Sequence, residues 1–172
     1  GCVPTKTLIE TAGLRHQIER AGEYGLRVGD VQLDFAAAMA RKAAVQAEVG
    51  AEEQRHYIDE PGVEVVHAAA RFLDRHTVEA GDEELRFEHC IIATGSRAQA
   101  PPVPGLEASG YLTNVSILQL DHLPASLAVI GGGPIGCEFA QMFRRFGSRV
   151  TGRQRGSRLL PREEPEAPLQ HG

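Results

Sequence analysis

The sequence predicts an α/β protein, on three observations. Apolar residues recur at helical spacing over the first third of the chain; beyond "DEPG" (59–62) the pattern shortens to that of extended backbone; and from Leu127 to Thr151 a strand, a glycine turn, a helix and a second strand follow in order. A chain of 172 residues with 42% hydrophobic and 24% charged residues is ordinary for one or two globular domains.

The first helix is read from "PTKTLIETAGLRHQIERAG" (4–22). Pro4 suits an initial helical position, where its missing N–H costs nothing, and Leu14 with Ile18 supplies an i,i+4 apolar pair. "GEYGLRVGD" (22–30) ends it. A second helix is expected after Asp34, a residue type that caps helix starts, with Phe35, Ala38, Met39 and Ala43 on one stripe and Gly50 as a point of interruption or bending. The β-branched and aromatic residues of 63–96 then read as a small meander, with a turn at "AGDEE" (80–84) and a last, apolar run at "HCIIATG" (89–95). "SRAQAPPVPG" (96–105) is too rich in proline to continue inside a sheet. After it, "LAVI" (127–130) is a buried-strand run, "CEFAQMFRRF" (137–146) a helix closed by Gly147, and "SRVT" (148–151) the start of another strand. The tail, "PREEPEAPLQHG" (161–172), shows no helix or strand pattern.

Charge and cysteine usage narrow the function. A net charge of −5 offers no electrostatic footing for nucleic acid or an anionic membrane surface. No run approaches the roughly 18 apolar residues of a membrane span, and no charged-then-apolar leader opens the sequence, so a cytoplasmic protein is expected. Cys2, Cys90 and Cys137 are odd in number and far apart, unlike a secreted disulfide framework, and the seven histidines show no ligand spacing, so no metal site is expected. Cys90 and Cys137 read as small packed residues of a strand and a helix.

Gly131-x-Gly133-x-x-Gly136 follows a strand and opens a helix, the context a dinucleotide-binding turn requires. Gly131 makes the tight turn, Gly133 lets backbone approach a pyrophosphate, and Gly136 lets helix and strand pack closely, while the helix N-terminus receives the phosphate charge. An NAD site would carry an acidic residue about 20 positions beyond the first glycine. Here "TGRQRGSR" (151–158) has neutral Gln154 among Arg153, Arg155 and Arg158, which favours the 2′-phosphate of NADP, although three arginines read equally as a solvated face. At the other end of the sequence Cys2 precedes a helix and Lys6 lies four residues on. A helix N-terminus and a cation both favour a thiolate; the alternative is an inert, apolar cysteine.

Three separated motifs, "GCVPTK" (1–6), "CIIATGSRAQAPPVPG" (90–105) and "AVIGGGPIGCEFA" (128–140), together resemble the pyridine nucleotide-disulfide oxidoreductases, most closely the dihydrolipoamide dehydrogenase and mercuric reductase branch. The resemblance implies residues 1–105 as a partial FAD-binding domain without its amino-terminal βαβ unit, 106–126 as a connecting segment, and 127–172 as the first βαβ part of a Rossmann-type NAD(P)-binding domain, an internal fragment of such an enzyme. It implies catalytic roles for Cys2, the flavin-side sulfur of a redox disulfide whose partner would lie before Gly1, for Lys6 near the flavin, and for Glu138 beside Lys6. It implies FAD contacts at Lys6, Ala70, Thr94 and Gly95, and NAD(P)H contacts at Gly131, Gly133, Pro134, Ile135, Gly136, Glu138, Gln154 and Arg155. Electrons would pass from NAD(P)H through FAD to the cysteine pair and on to a small-molecule or protein disulfide, or to mercuric ion, in a homodimer. Ala98, Gly152 and Arg153 depart from the family's usual residues. A flavin and nicotinamide oxidase without disulfide chemistry, and a non-catalytic fragment, are the other readings.

Overall fold

In the computed structural model, residues 2–156 and 159–160 are described, without the side chains of 57–59. The segment from 161 onward and Arg158 lie outside the described residues. Helix α1 spans Cys2–Glu19 and α2 spans Phe35–Asp59; strands β1 (Ala70–Phe72), β2 (Thr77–Ala80) and β3 (Glu83–Arg86) follow, then β4 (Ser126–Ile130), α3 (Pro134–Phe146) and β5 (Arg149–Arg153). The chain forms two compact units, one of Gly1–Ala47 with Gly105–Gly172 and one of Glu48–Pro104.

The first unit is built on α3. Its stripe of Phe139, Met142, Phe143 and Phe146, at i, i+3, i+4 and i+7, is buried in one cluster with Leu8 and Ala12 of α1. Phe35 joins it from the start of α2, its ring 6.0 Å from that of Phe146 at 82° and 6.5 Å from that of Phe143. Strands β4 and β5 pair in parallel from Ser126↔Arg149 to Ile130↔Arg153, with α3 as the crossover between them. This is the strand, turn, helix, strand order expected from the sequence.

Asp34 caps α2 as expected: its Oδ1 accepts the Ala37 N–H at 2.9 Å. Gly50 does not interrupt that helix, because the residues around it are good helix formers and an exposed glycine costs a helix only about 1 kcal/mol. Two residues of these apolar spacings are left uncovered. Leu14 is 58% exposed, and α1 buries Leu8 and Ala12 instead; Ala43 is exposed although Phe35 and Ala38 of the same stripe are buried. Spacing identifies a helix, and its packing partners choose which stripe is covered.

The second unit holds the meander, an antiparallel sheet in the order β1-β2-β3, with Phe72 opposite Val78 and Val78 opposite Leu85. Its first turn is closed by Asp74, whose Oδ1 accepts the His76 N–H at 2.7 Å and whose Oδ2 accepts the Thr77 hydroxyl at 3.0 Å. The second is a two-residue Gly81–Asp82 connection, with Gly81 at φ +66°. The run "HCIIATG", expected as a strand, is not one. Cys90 is exposed, and Ile91 and Ile92 are 92% and 69% exposed. A short apolar run becomes a strand only beside a neighbour that takes its backbone hydrogen bonds, and none of the described residues pairs with it.

Candidate active site and dinucleotide turn

Residues from distant parts of the sequence meet where α1 packs on α3. Cys2 occupies the first turn of α1, two residues earlier than the expected helix start, and is exposed. Lys6 stands one turn further along, at the i+4 spacing that puts two side chains on one face. Its Nζ donates to Glu138 Oε1 at 2.5 Å, across 132 residues of sequence, with the two side chains 61% and 38% exposed. Glu138 lies in the first half of α3, two residues beyond the last glycine of the turn. Two residues singled out from separate motifs are therefore directly bonded.

The glycine turn has the geometry its spacing predicts. Gly131 sits at φ +115°, open to glycine and strained for other residues, and its N–H donates to Arg153 O at 2.9 Å, tying the turn to the end of β5. A Cβ on Gly136 would stand 2.4 Å from Gly131 O and 3.5 Å from Val129 Cγ1, so only glycine lets α3 approach β4 this closely. Around Gly133 nothing stands within 4 Å of where a Cβ would be. Gly133 caps α3 in extended conformation and Pro134 takes an early helical position that leaves no N–H unpaired; Ile135 is 56% exposed. The open backbone and a free helix N-terminus fit the phosphates of a dinucleotide.

Gln154 closes this turn on the β5 side. Its Oε1 accepts the Gly132 N–H at 2.8 Å, while Gly132 O accepts the Leu160 N–H at 2.7 Å. Cys137 is half-buried rather than packed in the core, and its Sγ donates to Gly132 O at 3.7 Å. A cleft of about 620 Å³ runs past Gly131, Gly132, Gly136, Cys137, Arg153 and Gln154. Arg155 is exposed beyond it. Sequence reasoning passed over Gly132, whose N–H and C=O are both engaged; the run of three consecutive glycines is the signal that could have found it.

Ala70, Thr94 and Gly95 belong to the second unit. Ala70 opens β1 opposite Ala80 of β2, and Thr94 and Gly95 are exposed in the irregular segment after β3, with Gly95 at φ +73°. The carboxylates held below their ordinary range belong to other segments: Glu23 through hydrogen bonds from Arg20, Asp74 through the His76 N–H and the Thr77 hydroxyl, and Asp121 through the ring of His122. Among the described residues no cluster of His, Cys, Asp and Glu could hold a metal ion, and no helix is long and apolar enough to cross a membrane.

Comparison with known proteins agrees with this arrangement. The mercuric reductase of Streptomyces lividans is 39% identical over 172 residues, covering 96% of this chain and 36% of its own length. That of Bacillus cereus is 36% identical, covering 96% of this chain and 26% of its own. The copper(II) complex of the HOCl-induced flavoprotein disulfide reductase RclA from Escherichia coli superimposes with a TM-score of 0.76 at 33% identity, over 96% of this chain and 34% of that one. The chain thus spans between about a quarter and a third of the length of these relatives. A family model, pyridine nucleotide-disulphide oxidoreductase, matches residues 1–168. With a glycine turn of dinucleotide-binding shape, a Cys-and-Lys helix bonded to the helix that turn begins, and a match along nearly the whole chain, this protein belongs to the pyridine nucleotide-disulphide oxidoreductase family.

Proposed function

We propose that the chain is part of an FAD-dependent NAD(P)H oxidoreductase whose electrons end on a disulfide or on mercuric ion by way of a cysteine pair that includes Cys2. The Lys6–Glu138 bond carries the reading, because it joins the cysteine-bearing helix to the helix of the glycine turn. In this reading residues 1–105 are flavin-domain structure, 127–172 begin the nicotinamide domain, and 106–126 connects them. Gly131, Gly133, Pro134, Ile135 and Gly136 would hold the dinucleotide phosphates, and Gln154 and Arg155 its adenosine end; the lack of a carboxylate at Gln154 supports NADP over NAD. Ala70, Thr94 and Gly95 would meet FAD. These cofactors would supply two-electron transfer between a reduced nicotinamide and a sulfur pair. The residues of the chain orient it: Glu138 holds the Lys6 ammonium in place, one helical turn from Cys2. A homodimer and a cytoplasmic setting belong to the same proposal.

Anaerobic titration of the flavin-loaded parent enzyme, which would supply the sulfur partner of Cys2, with NADPH and NADH tests this. Uptake of two equivalents is expected, one for the flavin and one for the cysteine pair, falling to one in Cys2→Ser. One equivalent in the unaltered protein would reduce the reading to a flavin and nicotinamide oxidase, and none would overturn it.

A further inference from the structure

The Lys6–Glu138 pair ties α1 to α3 at one end of the two helices. At the far end of the same helices Arg15 Nη1 donates to Phe146 O at 2.5 Å, while its Nε donates to Glu19 Oε1 at 3.0 Å. Lys6 and Arg15 are nine residues apart, and Glu138 and Phe146 are eight apart, so the helices run parallel with bonded points spaced about 13.5 Å along one and about 12 Å along the other. The two bonds differ in setting. The Lys6 side chain is 61% exposed and that of Arg15 only 21%.

The end of α3 is shaped to receive Arg15. Its carbonyls at Phe143 and Arg144 are satisfied by the chain reversal, taking the N–H groups of Ser148 and Gly147. Phe146 O takes the guanidinium instead, a cation at the negative end of a helix. Gly147, at φ +108°, leaves the space: a Cβ there would stand 3.3 Å from Arg15 Nη1. Between the two bonds, Leu8 and Ala12 share an apolar cluster with the phenylalanines of α3. Such contacts carry no direction of their own. A slip of one residue, about 1.5 Å along the axis, is enough to part an ion pair.

We propose that Arg15 is a positioning residue which, by capping α3 at Phe146, sets the axial register of α1 on α3 and so holds Lys6 against Glu138. Its value to the reaction rests on the function proposed above; its effect on Lys6 does not. The sequence supplies an internal reference, because its two lysines are Lys6 and Lys42, and Lys42 donates to Leu118 O at 2.7 Å rather than to a residue of α1 or α3.

The experiment is limited acylation of the folded chain with acetic anhydride, reading the Lys6 to Lys42 labelling ratio by peptide mass spectrometry. Arg15→Ala is expected to raise that ratio about threefold, towards the value in Glu138→Gln, the scale of an exposed ion pair. Arg15→Lys, which keeps a donor, stays near the unaltered protein. Arg15→Met keeps the packing stem without the donor and matches Arg15→Ala, which covers the case that the alanine variant does not fold. An unchanged ratio in folded Arg15→Ala or Arg15→Met overturns the proposal, as does a rise of both lysines together, which reports a merely structural role. Failure of the nicotinamide titration would remove the functional reading while leaving this ratio to decide on Arg15.

Discussion

The two units of this chain use similar residues to opposite effect. In the first, Phe139, Phe143 and Phe146 are each 6% exposed or less, and the glycine turn closes on its own backbone. In the second, Phe72 is 50% exposed, Ile91 and Ile92 stand almost free, and the sheet is held by short pairings and a turn. The difference teaches that apolar content does not make a core by itself. A βαβ unit carries its covering helix between its strands, whereas an apolar run such as 89–95 depends on a neighbour from elsewhere.

The sharpest way to break this comparison is to cut the same side chain in each unit. Phe143→Ala should cost about 3–5 kcal/mol, and Phe72→Ala, which loses an edge contact to Phe87 at 6.1 Å, about 1 kcal/mol. Denaturant melts followed by circular dichroism measure both, and equal losses would show the second unit to be better packed than its exposure indicates. Glycines sharpen the contrast at smaller scale, with opposite signs. Gly136→Ala drives a Cβ onto Gly131 O and should cost about 1–3 kcal/mol. Gly50→Ala, with nothing within 4 Å and no positive φ, should gain about 0.5–1 kcal/mol in the same melts.

The smallest effect is expected on acidification. Asp74 is held below its ordinary range, chiefly by the His76 N–H and next by the Thr77 hydroxyl. A depressed folded value means that its contribution is present above the unfolded value, about 3.9, and is lost as pH falls through the folded one. The protection of the His76 amide from hydrogen exchange, relative to its intrinsic rate, should therefore fall in acid, and Asp74→Asn should flatten that dependence. A profile identical in the two proteins would show that the turn holds without the carboxylate.

Much of the first unit was legible because its signals are local. A glycine turn between strand and helix dictates its own geometry at Gly131 and Gly136, and Asp34 caps the helix that follows it without help from elsewhere. The Lys6–Glu138 contact was reachable only through resemblance to a family, since nothing in either segment points to the other. Arg15 on Phe146 carried no signal at all, because any arginine on a helix looks the same until the partner helix is present. The strand expected at 89–95 failed for the converse reason: its residues fit a buried strand, and pairing is a property of two segments, not one.

The bonds between α1 and α3 also bear on how the molecule assembles. They join residues 131 and 132 apart, whereas Gly132 and Gln154 meet across 22. By the logarithmic cost of closing a flexible loop, the longer closure is dearer by about 1.6 kcal/mol. During synthesis α1 emerges more than a hundred residues before α3. The nucleotide turn can form as soon as its own segment is complete, whereas the bonds from the cysteine helix to α3 must await a helix more than a hundred residues further on.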